Sequence, residues 1–108
     1  MRKSNYFLSE EQLEQVAGRF RVLGEPMRLR ILQAVCRKPR PVGAIVQAVG
    51  ATQANVSKHL ALLAGAGILE RRKEGQRVYY GMGDPLAMKL CALVHEHLAP
   101  KTPRRFGK

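Results

Sequence analysis

Apolar residues recur along this chain at helical spacing, switch once to alternation, and return to helical spacing near the end. Residues 1–8 carry no period and read as a flexible arm. Ser9 and Gln12 fit a capping box, so a helix should begin there. Leu13, Val16, Ala17 and Phe20 then line one face, and Gly24 closes the helix as a C′ glycine. Pro26 restarts the chain at a first-turn position. Leu29, Ile31, Leu32 and Val35 form the stripe of a second helix, which Pro39 and Pro41 break. A short third helix covers Val42 to Val49, with Ile45 and Val46 turned inward. Gly50-Ala51 is a turn, and Thr52 caps a fourth helix that runs to about Ala64. Val56, Leu60 and Leu63 supply its buried stripe, and Gly65 and Gly67 stop it.

The period then changes to two. Ile68 to Arg72 and Gln76 to Tyr80 read as two strands joined at Lys73-Glu74-Gly75. Val78 and Tyr80 share one face of the second strand, and Arg77 and Tyr79 the other. Asp84-Pro85 opens a last helix along which Leu86, Leu90, Leu93, Val94 and Leu98 recur. The predicted fold is mainly α with a small β-hairpin: four helices, two strands and a fifth helix, a winged helix-turn-helix. Residues 9–99 would be one domain, followed by a basic tail over 100–108.

Length agrees with this, since 108 residues is one domain's worth of chain. Charge adds a partner. The chain has 19 Lys and Arg against 8 Asp and Glu, a formal net charge of +11. Such an excess points to an anionic partner, nucleic acid or an acidic membrane. Its distribution narrows the choice. No acid occurs between Glu25 and Glu70, while Arg28, Arg30, Arg37, Lys38, Arg40 and Lys58 all lie in that stretch. Arg71, Arg72, Lys73 and Arg77 follow, opposed by Glu74. Glu10, Glu11 and Glu14 gather in the first helix instead. No apolar run of 18 residues marks a membrane span, and MRKSNYFLSEEQ lacks the apolar segment of a secretory signal. Cys36 and Cys91 are too few for a disulfide scaffold, and a cytoplasmic protein with reduced thiols is expected.

Val42–Val49, Gly50-Ala51 and Thr52–Ala64 form a helix-turn-helix unit, and the hairpin after it is a wing. Such a unit places the second helix in the major groove, where small and polar side chains near its start reach base edges. Gln53 can pair with adenine, and Ser57 and Lys58 can contact bases or phosphates. Thr52 and the helix N-terminus suit a phosphate.

The run from Val22 to Leu32, VLGEPMRLRIL, resembles the LGDPTRLRIL signature of ArsR/SmtB-type repressors. Thr52 to Leu60, TQANVSKHL, resembles their SQSNVSxHL recognition helix. Leu63 to Leu69 and Arg71 to Tyr80 are similar to their L-x-x-A-G-L-V and R-x-G-x-x-x-Y-Y wing. The likeness covers roughly residues 12–98. It implies a homodimeric repressor whose first and last helices pair between subunits, bound to double-stranded DNA at an inverted-repeat operator and released by an inducer. Gln53, Ala54, Ser57 and Lys58 stand where the family's groove-reading residues stand. Asn55 and His59 flank them as phosphate or packing residues, and Arg71 and Arg77 sit on the wing. Arg28 or Arg30 is expected to be structural, in an ion pair with Glu25 or an acid of the first helix. Tyr79 and Tyr80 are expected to pack rather than stack on bases.

The resemblance says less about the signal. The family's zinc sensors use an Asp-x-His pair near the start of the last helix and a His-x-x-Glu pair near its end. Asp84 and His97 stand at the first and third positions, but Leu86 and Pro100 occupy the others, so no zinc or other metal cofactor is assigned. The arsenic-type Cys-x-Cys pair is absent from Arg40 to Ile45. Cys36 and Cys91 resemble in outline a thiol switch of some relatives. Arg37 and Lys38 would favour the thiolate of Cys36, while a buried hydrophobe is the plainer role for either cysteine.

No enzyme is expected, because His59, His95 and His97 lie in no motif with a nucleophile or paired carboxylate. The alternative to a repressor is a winged helix used for architectural DNA binding or protein docking, without an inducer.

Overall fold

A computed structural model of the chain describes residues 7–98. The basic tail at 100–108, and all but the end of the N-terminal arm, lie outside them. The element order is α1 (Glu10–Leu23), α2 (Pro26–Val35), β1 (Arg40–Pro41), α3 (Val42–Val49), α4 (Gln53–Gly65), β2 (Leu69–Glu74), β3 (Arg77–Met82) and α5 (Leu86–Leu98). The five predicted helices and the wing are all present.

Local chemistry explains most boundaries. Ser9 caps α1 in a full capping box: its hydroxyl accepts from the Gln12 N–H at 3.1 Å, and Gln12 Oε1 accepts from the Ser9 N–H at 2.9 Å. Glu25 caps α2, its carboxylate accepting the Arg28 N–H at 3.0 Å, with Pro26 at the first helical position. Gly50 ends α3 in the left-handed region at φ 69°, where a β-carbon would be strained. Asp84 Oδ1 accepts from the Leu86 N–H at 3.0 Å and so starts α5.

Three details differ from the sequence reading. First, the sheet has three strands, in the order β1-β3-β2, and not two. Arg40 lies opposite Tyr80 and Pro41 opposite Tyr79. β1 is a sheet edge, so the missing Pro41 N–H does not interrupt a central ladder. Second, the wing turn is Gly75-Gln76, because Glu74 pairs with Arg77 across the tip. Gly75 has φ 63° at the first central position, where a II′ hairpin turn takes glycine. Third, Gly24 caps α1 at φ −87° rather than in a left-handed C′ turn. The carbonyls that such a turn would satisfy are instead taken by Arg28 (below).

The core lies where α2, α3, α4 and the sheet meet. Ile31, Leu32, Ile45, Val56, Leu63 and Ile68 are completely buried, and Val35, Leu60 and Leu69 nearly so. Tyr80 closes the core from the sheet. α1 contributes one buried residue, Leu23, and α5 one, Ala87. Leu13, Val16 and Phe20 of α1 are exposed, as are Leu86, Leu93, Val94 and Leu98 of α5. Among the described residues no helix is long and apolar enough to cross a membrane.

Candidate nucleic-acid interface

The site is built on α4. Val56, Leu60 and Leu63 recur at helical spacing and are buried, which fixes the helix against the core. Their burial turns the opposite face outward. Gln53, Ala54, Asn55, Ser57 and Lys58 are all exposed on the first two turns. Thr52 Oγ1 accepts from the Asn55 N–H at 3.1 Å, so the hydroxyl caps the helix through a lone pair and keeps its own hydrogen to donate. The helix therefore presents an amide, a methyl, a second amide, a hydroxyl and an ammonium in close succession. No acid on α3 or α4 opposes them.

His59 sits at the edge of this face and is half-buried. Its Nδ1 lies 3.2 Å from Nη1 of Arg28. It thus turns toward α2, away from the outward row formed by Gln53, Ser57 and Lys58.

The wing supplies cations on both of its faces. Residues directly opposite in an antiparallel pair share a face. Arg71 opposes Tyr80 and Lys73 opposes Val78, so these two cations stand on the side of the sheet that carries the core tyrosine. Arg72, Glu74, Arg77 and Tyr79 occupy the other side. There Arg72 Nε donates to Glu74 at 2.9 Å, and the Arg77 guanidinium lies 5.9 Å from the centre of the Tyr79 ring. Arg71 and Arg77 are both exposed, yet they do not form one patch. Tyr80 is a core residue and Tyr79 packs on the wing; the Tyr79 ring lies beneath the Arg77 guanidinium, a contact the sequence did not suggest. Arg40 flanks Tyr80 on the side opposite Arg71, and its Nε is buried without a hydrogen-bond partner.

Arg28 is structural, but not through an ion pair. Its Nε donates to the Val22 carbonyl at 2.6 Å and its Nη2 to the Arg21 carbonyl at 3.2 Å. Glu25 bonds the Arg28 backbone instead of its side chain. That N–H bond holds the Glu25 carboxyl below its usual range, and His59 and the Arg28 charge act in the same direction. Nothing in the spacing of residues 28 and 59 announces their contact.

The candidate effector residues are dispersed. Asp84 pairs with Arg19 at 3.8 Å, and His97 Nδ1 contacts the Leu93 carbonyl at 3.1 Å. No group of three or more His, Cys, Asp or Glu side chains among the described residues could hold a metal ion. Both cysteines are free thiols. Cys36 is exposed at the end of α2, and Cys91 is half-buried on α5. Cys91 lines an apolar groove of about 360 Å³ with Phe20, Leu23, Leu29, Leu90, Val94 and Leu98, and Cys36 does not.

A three-stranded sheet folded behind a helix-turn-helix, with a polar row on the second helix, defines a winged helix-turn-helix regulator. Comparison with known proteins agrees. Residues 23–72 match a family model described as a helix-turn-helix domain. The chain is 36% identical over 74 residues to a probable mercury resistance operon repressor of Streptomyces lividans, an alignment spanning 68% of this chain and 59% of that protein. It is 32% identical over 91 residues to a transcriptional repressor SmtB homologue of Synechocystis, spanning 84% of this chain and 69% of the relative. Among solved structures it is similar to the homodimeric winged helix-turn-helix DNA-binding domain of a possible ArsR-family regulator from Mycobacterium bovis. That match has a TM-score of 0.74 and 31% identity, and covers 94% of this chain and all of that one. This chain belongs to the ArsR/SmtB family of winged helix-turn-helix transcriptional regulators, and its relatives are not enzymes.

Proposed function

We propose that this chain is a homodimeric repressor that reads an inverted-repeat operator in double-stranded DNA. The observation that carries this is the row Gln53, Ala54, Ser57 and Lys58, exposed on a helix whose opposite face is wholly buried. Thr52, Asn55, Arg71 and Arg77 would hold the phosphate backbone beside that row, and His59 would act behind it. The exposed apolar faces of α1 and α5 are the surface through which two copies would pair. Pairing sets two reading helices on a two-fold axis and doubles the +11 charge over one duplex. Such a repressor works in the cytoplasm, where its DNA is.

Release by an inducer belongs to the same reading. That inducer would be a metal, a thiol oxidant or reactive sulfur species, or another signal, and the free thiols of Cys36 and Cys91 are candidate receivers.

Selection of bound duplexes from a randomised pool, followed by footprinting, tests the proposal. The expected product is a palindrome with half-sites about one helical turn apart. Arg77→Ala should weaken binding to all sequences alike and lower the salt slope by about 1. Recovery of no common sequence would favour architectural binding instead. Oxidant or persulfide treatment should weaken operator binding, and a Cys36→Ser variant that responds like the parent removes the thiol pair.

A further inference from the structure

Arg28, on the first turn of α2, hydrogen-bonds to two other helices at once. Its Nε and Nη2 hold the Val22 and Arg21 carbonyls at the end of α1, and its Nη1 lies 3.2 Å from His59 Nδ1 on α4. A guanidinium stays charged and offers only donors. The His59 Nδ1 must therefore accept, which requires a neutral ring with its proton on Nε2. We propose that Arg28 is a positioning residue that fixes α4 relative to α1, and that protonation of His59 releases this strut and lowers operator binding. The inference rests on the proposal above that α1 joins two copies and α4 reads the groove.

The geometry gives the strut its importance. In a two-fold dimer, the separation of the two reading helices follows from the angle between α4 and the pairing helix. Any rotation of α4 is applied twice, once in each subunit. A planar fork bound to three acceptors resists that rotation better than a single-point contact. α1 has few other anchors, since Leu23 is its single buried residue.

Protonation would undo the contact for two reasons. An imidazolium carries a hydrogen on both nitrogens, so Nδ1 can no longer accept. It also sets two cations side by side. The Glu25 carboxylate nearby eases that repulsion but restores no acceptor at Nδ1. On its own helix the charged residue is Lys58, exposed. From α2 it meets Arg28, with Arg30 exposed and with the Glu25 cap close enough to feel its charge. α3 has no titratable residue, and the charged residues of β2 are exposed. Glu25, held below the usual carboxylate range, stays ionised through mild acidification and keeps the Arg28 backbone in place. The side chain is then the part that lets go.

The sign of the effect distinguishes this device from ordinary electrostatics. Added positive charge on a DNA-binding face tightens binding to any duplex. Loss of the strut would loosen binding to the two-half-site duplex relative to a random one. The test uses the duplex selected by the parent chain, a set of its variants with altered half-site spacing, and a random duplex of equal length. Between about pH 8 and about pH 5.5, the parent's preference for the selected duplex should fall on the order of tenfold. His59→Asn, whose side-chain oxygen can stand near the Nδ1 position and does not titrate, should flatten that profile. Arg28→Lys, compared at equal helical content, should broaden the spacing optimum.

If the parent shows no two-half-site preference, the proposed function itself fails and this inference with it. If the parent has a spacing optimum that folded Arg28→Lys reproduces, the strut is overturned and the function stands. If Arg28→Lys does not fold, the His59→Asn profile decides. A parental pH slope retained in that variant overturns the proposal, as does a parental preference that rises on acidification.

Discussion

Helices α4 and α5 are each 13 residues long, and α5 carries more large apolar side chains. Yet α4 buries Val56, Leu60 and Leu63 completely or nearly so, while α5 buries only Ala87. Leu93 is 54% exposed and Leu98 70% exposed. The difference lies in what each helix faces. α4 is enclosed by α2, α3 and β2, and its apolar residues need no further partner. α5 lies at the margin against α1, with an apolar groove beside it. The polar helix is the finished one, and the apolar helix still has a surface to cover. Scattered exposed leucines are ordinary, but an apolar groove between two neighbouring helices is the surface that the proposed pairing would cover.

The largest break in this contrast should come from Leu60→Ala. Leu60 is 1% exposed, and truncation of such a residue costs about 2–5 kcal/mol. Denaturant unfolding should show most of that loss whatever the protein concentration. Next comes Val94→Glu, on a side chain 49% exposed. The single chain should keep its fold, while dimerisation weakens by about 2 kcal/mol or more. Sedimentation equilibrium checks this, and an unchanged dimer constant would place the pairing surface elsewhere.

Gln53→Ala probes the polar helix from outside. It should leave stability nearly unchanged and cost about 1–3 kcal/mol of discrimination at one base pair of each half-site. A set of single-base operator variants measures it, and unaltered preference removes Gln53 from the reading row. The smallest effect concerns Glu25. Its carboxyl has a lowered pKa in the folded chain, so its contribution is present above the ordinary glutamate range. It disappears as pH falls through that range and below. Glu25→Ala should therefore narrow the stability difference between neutral and acid solution, read by thermal melts across that interval.

Most of the fold was legible because its signals are local. The Ser9 box, the Pro26 restart, the Gly50 turn and the Thr52 cap lie within four residues of the groups they organise. The period of Val56, Leu60 and Leu63 is likewise visible in one short window. β1 was not legible, because two residues with a proline have no period, and their partner Tyr80 lies 40 positions away. The wing register was missed by a small margin, because the Lys73-Glu74-Gly75 run contains the turn glycine but not its pairing. In the site, the row on α4 was readable from its buried complement. Arg28 was readable only as a structural residue, and its sequence neighbour Glu25 suggested the wrong partner.

Sequence alone determined where most helices start and which face of α4 must remain outside, since periodicity and caps act within a turn or two. It did not tell the buried stripe of α4 from the exposed stripes of α1 and α5. Tertiary structure decided what spacing cannot encode: that the wing arginines stand on opposite faces, that Asp84 meets Arg19, and that His59 turns inward to Arg28. These depend on how separate elements are rotated against one another. That rotation is set by the summed packing of the whole core, not by any one segment.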